Sequence, residues 1–136
     1  MLSGETKMMC GVILLTMVSI EYGGYFLLSL WQGKHQNLQL TPFQKNFFKA
    51  GHAHAGVLVM LALIAQILTD ATGYSAPLRW SVRLAFPLAA MLISGGFFAS
   101  AIGKNIEKPN KLAVLIMIGA GVLTYGLMVL GIGLLL

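Results

Sequence analysis

Four long apolar stretches, separated by short polar connections, organise the chain. They lie at residues 9–31, 50–68, 81–103 and 112–136. Each is long enough to cross a bilayer, which takes about 20 apolar residues. Because a backbone in lipid must satisfy its own hydrogen bonds, each stretch is predicted to be a helix. The pattern predicts an all-α polytopic membrane protein, with residues 1–136 forming a single four-transmembrane-helix bundle.

Local signals refine the helix boundaries. The stretch Thr41–Gln44 combines an N-cap threonine, a proline at the first helical position and a capping-box glutamine, so helix 2 is predicted over residues 42–68. Asn110 is suited to cap helix 4. Pro87 lies inside helix 3 and is expected to kink it. The short connections favour antiparallel packing of consecutive helices.

The composition excludes several classes of protein. Hydrophobic residues make up 57% of the chain and charged residues 10%, against about a quarter charged in soluble domains. The chain is therefore neither disordered nor an ordinary soluble enzyme domain. Its nine Lys and Arg residues give a net charge of +5, but they are dispersed between apolar runs. This distribution indicates basic loops at a lipid bilayer rather than a nucleic-acid partner.

The basic residues also predict an orientation. The connections over residues 32–49 and 104–111 contain six lysines, whereas the opposite side has only Lys7, Arg79 and Arg83. Positively charged short loops stay in the cytoplasm, so both termini are predicted to lie outside. The expected location is the bacterial inner membrane, with a multi-pass topology.

Glycines predict close helix packing. Helix 4 has no charged residue and contains five glycines, which is typical of a packing or oligomerisation helix. Gly23 and Gly24 give helix 1 a similar capacity for close approach. We therefore expect a homo-oligomer or a subunit of a membrane complex.

Glu21 is the carboxylate nearest the centre of a predicted span. An ionised carboxylate there costs several kcal/mol unless it is paired, hydrated or protonated. Tyr25, one turn later on the same face, is a candidate hydrogen-bond donor to it and a candidate proton-relay or second-shell group. Glu21 is expected to face the bundle interior near helix 2, either as a structural hydrogen-bonding group or as a metal ligand or proton relay.

His52 and His54 are the other candidate site residues. They lie in helix 2 among small residues, and positions two apart on a helix point about 200° apart. The two histidines are therefore not expected to be equivalent. His54 is favoured as the ligand of a haem b or a transition metal, with His52 as the alternative. The second ring nitrogen of the ligand histidine needs a hydrogen-bond partner, and Glu21 is predicted to be that partner.

Other polar residues in the spans are assigned supporting roles. Gln66 shares a face with His52 and is a candidate second-shell or proton-relay group. Arg83 can pair with Asp70 at the outer end of helix 3, an interaction interpreted as structural.

The segment Phe48–Leu58, with the sequence FKAGHAHAGVL, resembles the H-x-H-x-x-x-L-G segment of small four-helix proteins related to subunit I of cbb3-type haem–copper oxidases. The resemblance implies a four-helix membrane fold in which His52 or His54 binds haem. It does not extend to a copper centre, because the only other histidine is His35 in a loop.

Three functions remain open from the sequence. The first is haem or metal binding in electron transfer, cofactor handling or sensing. The second is an accessory subunit in which Glu21 and the histidines only pack. The third is a small proton-coupled transporter that uses Glu21, since small multidrug transporters also have four helices and a glutamate in helix 1. We find no nucleophile–base set, so the sequence leaves enzymatic activity undecided.

Overall fold

A computed structural model describes residues 1–35 and 37–136, which form four long α-helices and no strand. The helices are α1 (Gly4–Trp31), α2 (Pro42–Thr69), α3 (Ala76–Ser100) and α4 (Val114–Leu135), and a 3₁₀ turn (Lys111–Ala113) leads into α4. All four are long and apolar enough to span a membrane. The predicted all-α architecture is therefore confirmed.

The helix starts follow from their caps. Thr41 and Gln44 form the predicted capping box, and α2 begins at Pro42 as expected. Asn110 caps the 3₁₀ turn before α4 by accepting a hydrogen bond from the Leu112 amide. The N-terminal end of α1 differs from the expected start near residue 9, because Ser3 caps the helix and begins it at Gly4.

The connection between α1 and α2 is tied to the one before α4. Gln44 is buried and its Nε2 donates to the Ala101 and Gly103 carbonyls, each at 2.9 Å. The Thr41 hydroxyl donates to the Ile106 carbonyl in the same loop. These bonds join the two lysine-rich connections at one end of the bundle.

The helices pack in chain order, with α2 and α3 at the centre. The fraction of buried residues in the most apolar stretch of each helix is 50% for α3, 28% for α2, 11% for α4 and 6% for α1. α1 packs mainly on α2, so most of its circumference is uncovered. α4 packs mainly on α3.

Glycines set the close approach of α4 to α3. Gly119, Gly126 and Gly133 recur every seven residues, and all three are buried. A Cβ built on Gly119 would lie 2.7 Å from Ile93 Cγ1 of α3, and one on Gly133 would lie 2.5 Å from the ring of Tyr74, in the connection before α3. The prediction that helix 4 is a packing helix is therefore confirmed for this face.

Candidate functional site

His54 is exposed on α2 and rests against α3. Its ring stacks on Phe97, with centroids 4.9 Å apart and planes inclined by 27°. His54 Nδ1 lies 2.7 Å from the carbonyl oxygen of Ala50, one turn earlier. A carbonyl oxygen only accepts, so Nδ1 is the protonated nitrogen and Nε2 of the neutral ring carries the lone pair. The hydrogen bond thus leaves Nε2 free to bind a ligand.

His52 points toward α1 instead. Its ring lies against Gly23 and Gly24, and a Cβ built on Gly24 would come within 3.1 Å of His52 Nε2. α1 accommodates the imidazole because residue 24 has no side chain. The two imidazoles therefore contact different helices, as helical geometry requires for positions two apart.

Glu21 does not face the bundle interior, which corrects the expectation from sequence. Its side chain is exposed, and it makes no hydrogen bond within residues 1–35 and 37–136. Tyr25 is 61% exposed and is likewise not bonded to Glu21 in this part of the chain. The reason is the edge position of α1, which leaves most of that helix without a neighbour. The partner of His54 Nδ1 is a backbone carbonyl rather than Glu21.

Gln66 is completely buried and belongs to a different polar cluster. Its Nε2 donates to the Arg83 carbonyl at 2.9 Å. Pro87, four residues after Arg83, has no N–H to offer that carbonyl, so the Gln66 amide replaces the missing helical donor. Gln66 lies twelve residues from His54, or about 18 Å along the helix, and is therefore too far away to hydrogen-bond to that histidine.

Arg83 is the centre of this cluster and joins three helices. Its side chain is 2% exposed, and Nη2 lies 2.5 Å from Asp70 Oδ1. Nη1 donates to Thr6 Oγ1 at 2.7 Å and to the Gln66 carbonyl at 3.1 Å. Ser3 completes the cluster, because its amide and hydroxyl donate to the two Asp70 oxygens at 2.9 and 2.8 Å. The expected Arg83–Asp70 pair is thus present and buried rather than extended to solvent.

The carboxyl of Asp70 follows α2 and stays ionised in this cluster. Burial raises its pKa, but hydrogen bonds from the Ser3 amide and hydroxyl and from Arg83 outweigh burial. The pKa of Asp70 is therefore held well below its usual 3.8. An ionised Asp70 neutralises the buried guanidinium and holds the start of α1 to the other helices.

Two members of this cluster, Ser3 and Thr6, were not predicted from the sequence. They are three residues apart at the start of α1, so both hydroxyls lie on one side of the first turn. The sequence signal for them is a pair of hydroxyl residues at a helix start, at the same end of the bundle as Arg83 and Asp70.

No group of three or more His, Cys, Asp or Glu side chains within residues 1–35 and 37–136 is arranged to hold a metal ion. No family model, curated protein or solved structure matches the chain. A function must therefore be argued from the geometry of the two histidines and their surroundings.

Proposed function

We propose that the protein is an integral membrane haem-binding protein of electron transfer, in which His54 would hold haem b as the cofactor. A transition-metal ion is the alternative cofactor. The observation that carries the proposal is the His54 Nδ1–Ala50 hydrogen bond, which leaves the Nε2 lone pair of this exposed side chain available to a ligand.

The hydrogen bond suits a ligand histidine. Histidines that bind metals commonly donate their other ring N–H to a carbonyl or carboxylate, which fixes the tautomer and makes the binding nitrogen more basic. Stacking on Phe97 also restricts rotation of the His54 ring. Both contacts orient the imidazole before anything binds to it.

One exposed imidazole per chain is enough for this cofactor. The porphyrin would supply most of the ligands of haem iron, so the protein would need to contribute only one or two side chains. Because His52 turns toward α1, the second histidine that would hold the haem in our proposal is His54 of a second copy across a symmetric interface. When bound, haem supplies one-electron redox chemistry.

The test is an absorption spectrum of the protein purified from its native membrane in mild detergent, oxidised and reduced, together with metal analysis. We expect a haem spectrum with one haem per two chains. His54→Ala should abolish it, whereas the matched variant His52→Ala should retain it, and circular dichroism checks that both remain helical. Equal cofactor content in the two variants, or no cofactor in the native protein, would overturn the proposal.

A second candidate, a subunit of a larger membrane complex, is favoured by the exposed Glu21 on the poorly covered helix α1. A carboxylate that faces acyl chains is costly, and a partner helix with a hydrogen-bonding side chain removes that cost. The molar mass of the same detergent preparation separates the candidates, because a haem dimer contains only copies of this chain.

A further inference from the structure

A groove between α1 and α2 lies at the lysine-rich end of the bundle. It encloses about 300 Å³. Its lining residues come from both helices: Gly24, Leu27, Leu28, Trp31, Lys49 and His52. The α1 side is apolar, whereas the α2 side supplies an ammonium group and an imidazole.

The cation in the groove is held in place. Lys49 Nζ lies over the Trp31 ring, 4.5 Å from its centroid. This cation–π contact fixes a long side chain that is otherwise flexible. An ammonium group has only donors, so it needs an acceptor from whatever enters the groove. No carboxylate is among the lining residues.

The glycine on α1 gives the groove its depth. With no side chain at residue 24, the groove reaches the ring of His52, which lies one turn deeper in the membrane than Lys49. The imidazole of His52 therefore lies at the floor of the groove and the ammonium of Lys49 at its mouth. The remaining lining is apolar, and Trp31 beside Lys49 is an aromatic residue of the kind that marks a membrane interface.

We infer that this groove binds an anionic phospholipid, with the phosphate of its headgroup on Lys49 and the start of an acyl chain along Leu27 and Leu28. Charge complementarity selects an anion, and the apolar α1 wall selects a lipid over a free anion. The site is distinct from the proposed haem ligand, because His54 faces α3.

Trp31 provides the readout. The chain has two tryptophans, so Trp80→Phe leaves Trp31 as the only fluorophore of that kind. The protein is reconstituted in phosphatidylcholine vesicles that contain a small fraction of dibrominated phosphatidylglycerol or, separately, dibrominated phosphatidylcholine. We expect Trp31 to be quenched more strongly by the anionic lipid, with an apparent preference of about fivefold for one lysine near the surface.

Two variants of Lys49 give the decisive comparison. Lys49→Gln should abolish the preference, and Lys49→Arg should retain it, since both keep a long side chain but only arginine keeps the charge. Lys111→Gln is the matched control, because Lys111 is exposed at the same end of the bundle but does not line the groove.

Each remaining outcome overturns the inference. Equal loss of the preference in Lys49→Gln and Lys111→Gln would mean that the general charge of this end attracts the lipid. Relief of quenching by millimolar inorganic phosphate would assign the groove to a soluble anion. Equal quenching by both brominated lipids would show that the groove has no selectivity for charge.

Discussion

Arg83 shows how a single charged residue is accommodated inside an apolar bundle. Its guanidinium is almost fully buried, yet Asp70, Ser3, Thr6 and Gln66 supply acceptors within hydrogen-bonding distance. Removing a buried charge from water costs several kcal/mol, and only such complete pairing offsets it. The cluster therefore couples the start of α1 to α2 and α3, and its loss should loosen the edge helix first.

Asp70→Asn tests this coupling. The variant leaves the Arg83 guanidinium buried without its counter-charge, so we expect the free energy of unfolding to fall by about 3 kcal/mol. Urea unfolding in detergent micelles, followed by circular dichroism, measures the change. Glu107→Gln is the matched control, since Glu107 is exposed in a loop and its substitution should change little.

The difference in stability between the native protein and Asp70→Asn is expected to depend on pH. Because the pKa of Asp70 is lowered in the folded state, its stabilising effect is complete above the usual value of 3.8 and is lost as the pH falls toward the depressed folded-state pKa. The stability difference between the native protein and Asp70→Asn should therefore be constant near neutral pH and shrink in acid. A difference that grew in acid would contradict the assignment.

At the scale of helices, Gly119 and Gly126 determine how closely α4 approaches α3, and Gly133, seven residues further on, makes room for the ring of Tyr74 in the connection before α3. The other two glycines in the body of α4, Gly121 and Gly131, face open space. The number of glycines does not show which of them are packed, but their positions around the helix distinguish the packed glycines from the two that face open space.

Gly119→Ala and Gly121→Ala are a matched pair for this interface. The added methyl at residue 119 would lie 2.7 Å from Ile93 Cγ1 and 3.0 Å from the Ile93 backbone nitrogen, so the helices must separate. We expect the free energy of unfolding of Gly119→Ala to be lower by about 1–3 kcal/mol. At residue 121 no atom lies within 4 Å, and the higher helix propensity of alanine makes the change neutral or slightly stabilising. Thermal unfolding in one detergent compares them, and equal losses would place the α3–α4 contact elsewhere.

For the whole molecule, the arrangement of charge predicts the topology. The lysine-rich loops lie at one end of the bundle, and both termini lie at the other if all four helices span the membrane. We expect Lys34→Cys and Lys108→Cys, in a Cys10→Ser background, to react with an impermeant maleimide only after the membrane is opened. Lys7→Cys should react in intact cells. The reverse pattern would place the lysine-rich end outside.

Two features of the fold can be predicted from the amino-acid sequence alone, namely the number of helices and the start of α2 at Pro42. Lipid leaves an apolar backbone no alternative to a helix, and capping residues act on their nearest neighbours, so both features depend on local chemistry. The 200° between His52 and His54 is local in the same sense, because helical geometry alone sets it.

The packing of the four helices, and not their sequences, determines which face of each helix has a neighbour. α1 and α4 are apolar around most of their circumference, so no amphipathic pattern indicates the buried side. The predicted contact of Glu21 with helix 2 failed for this reason, since α1 lies at the edge of the bundle and Glu21 is exposed. The groove beside Lys49 was equally hidden in the sequence, because it exists only where Gly24 on one helix meets His52 on another.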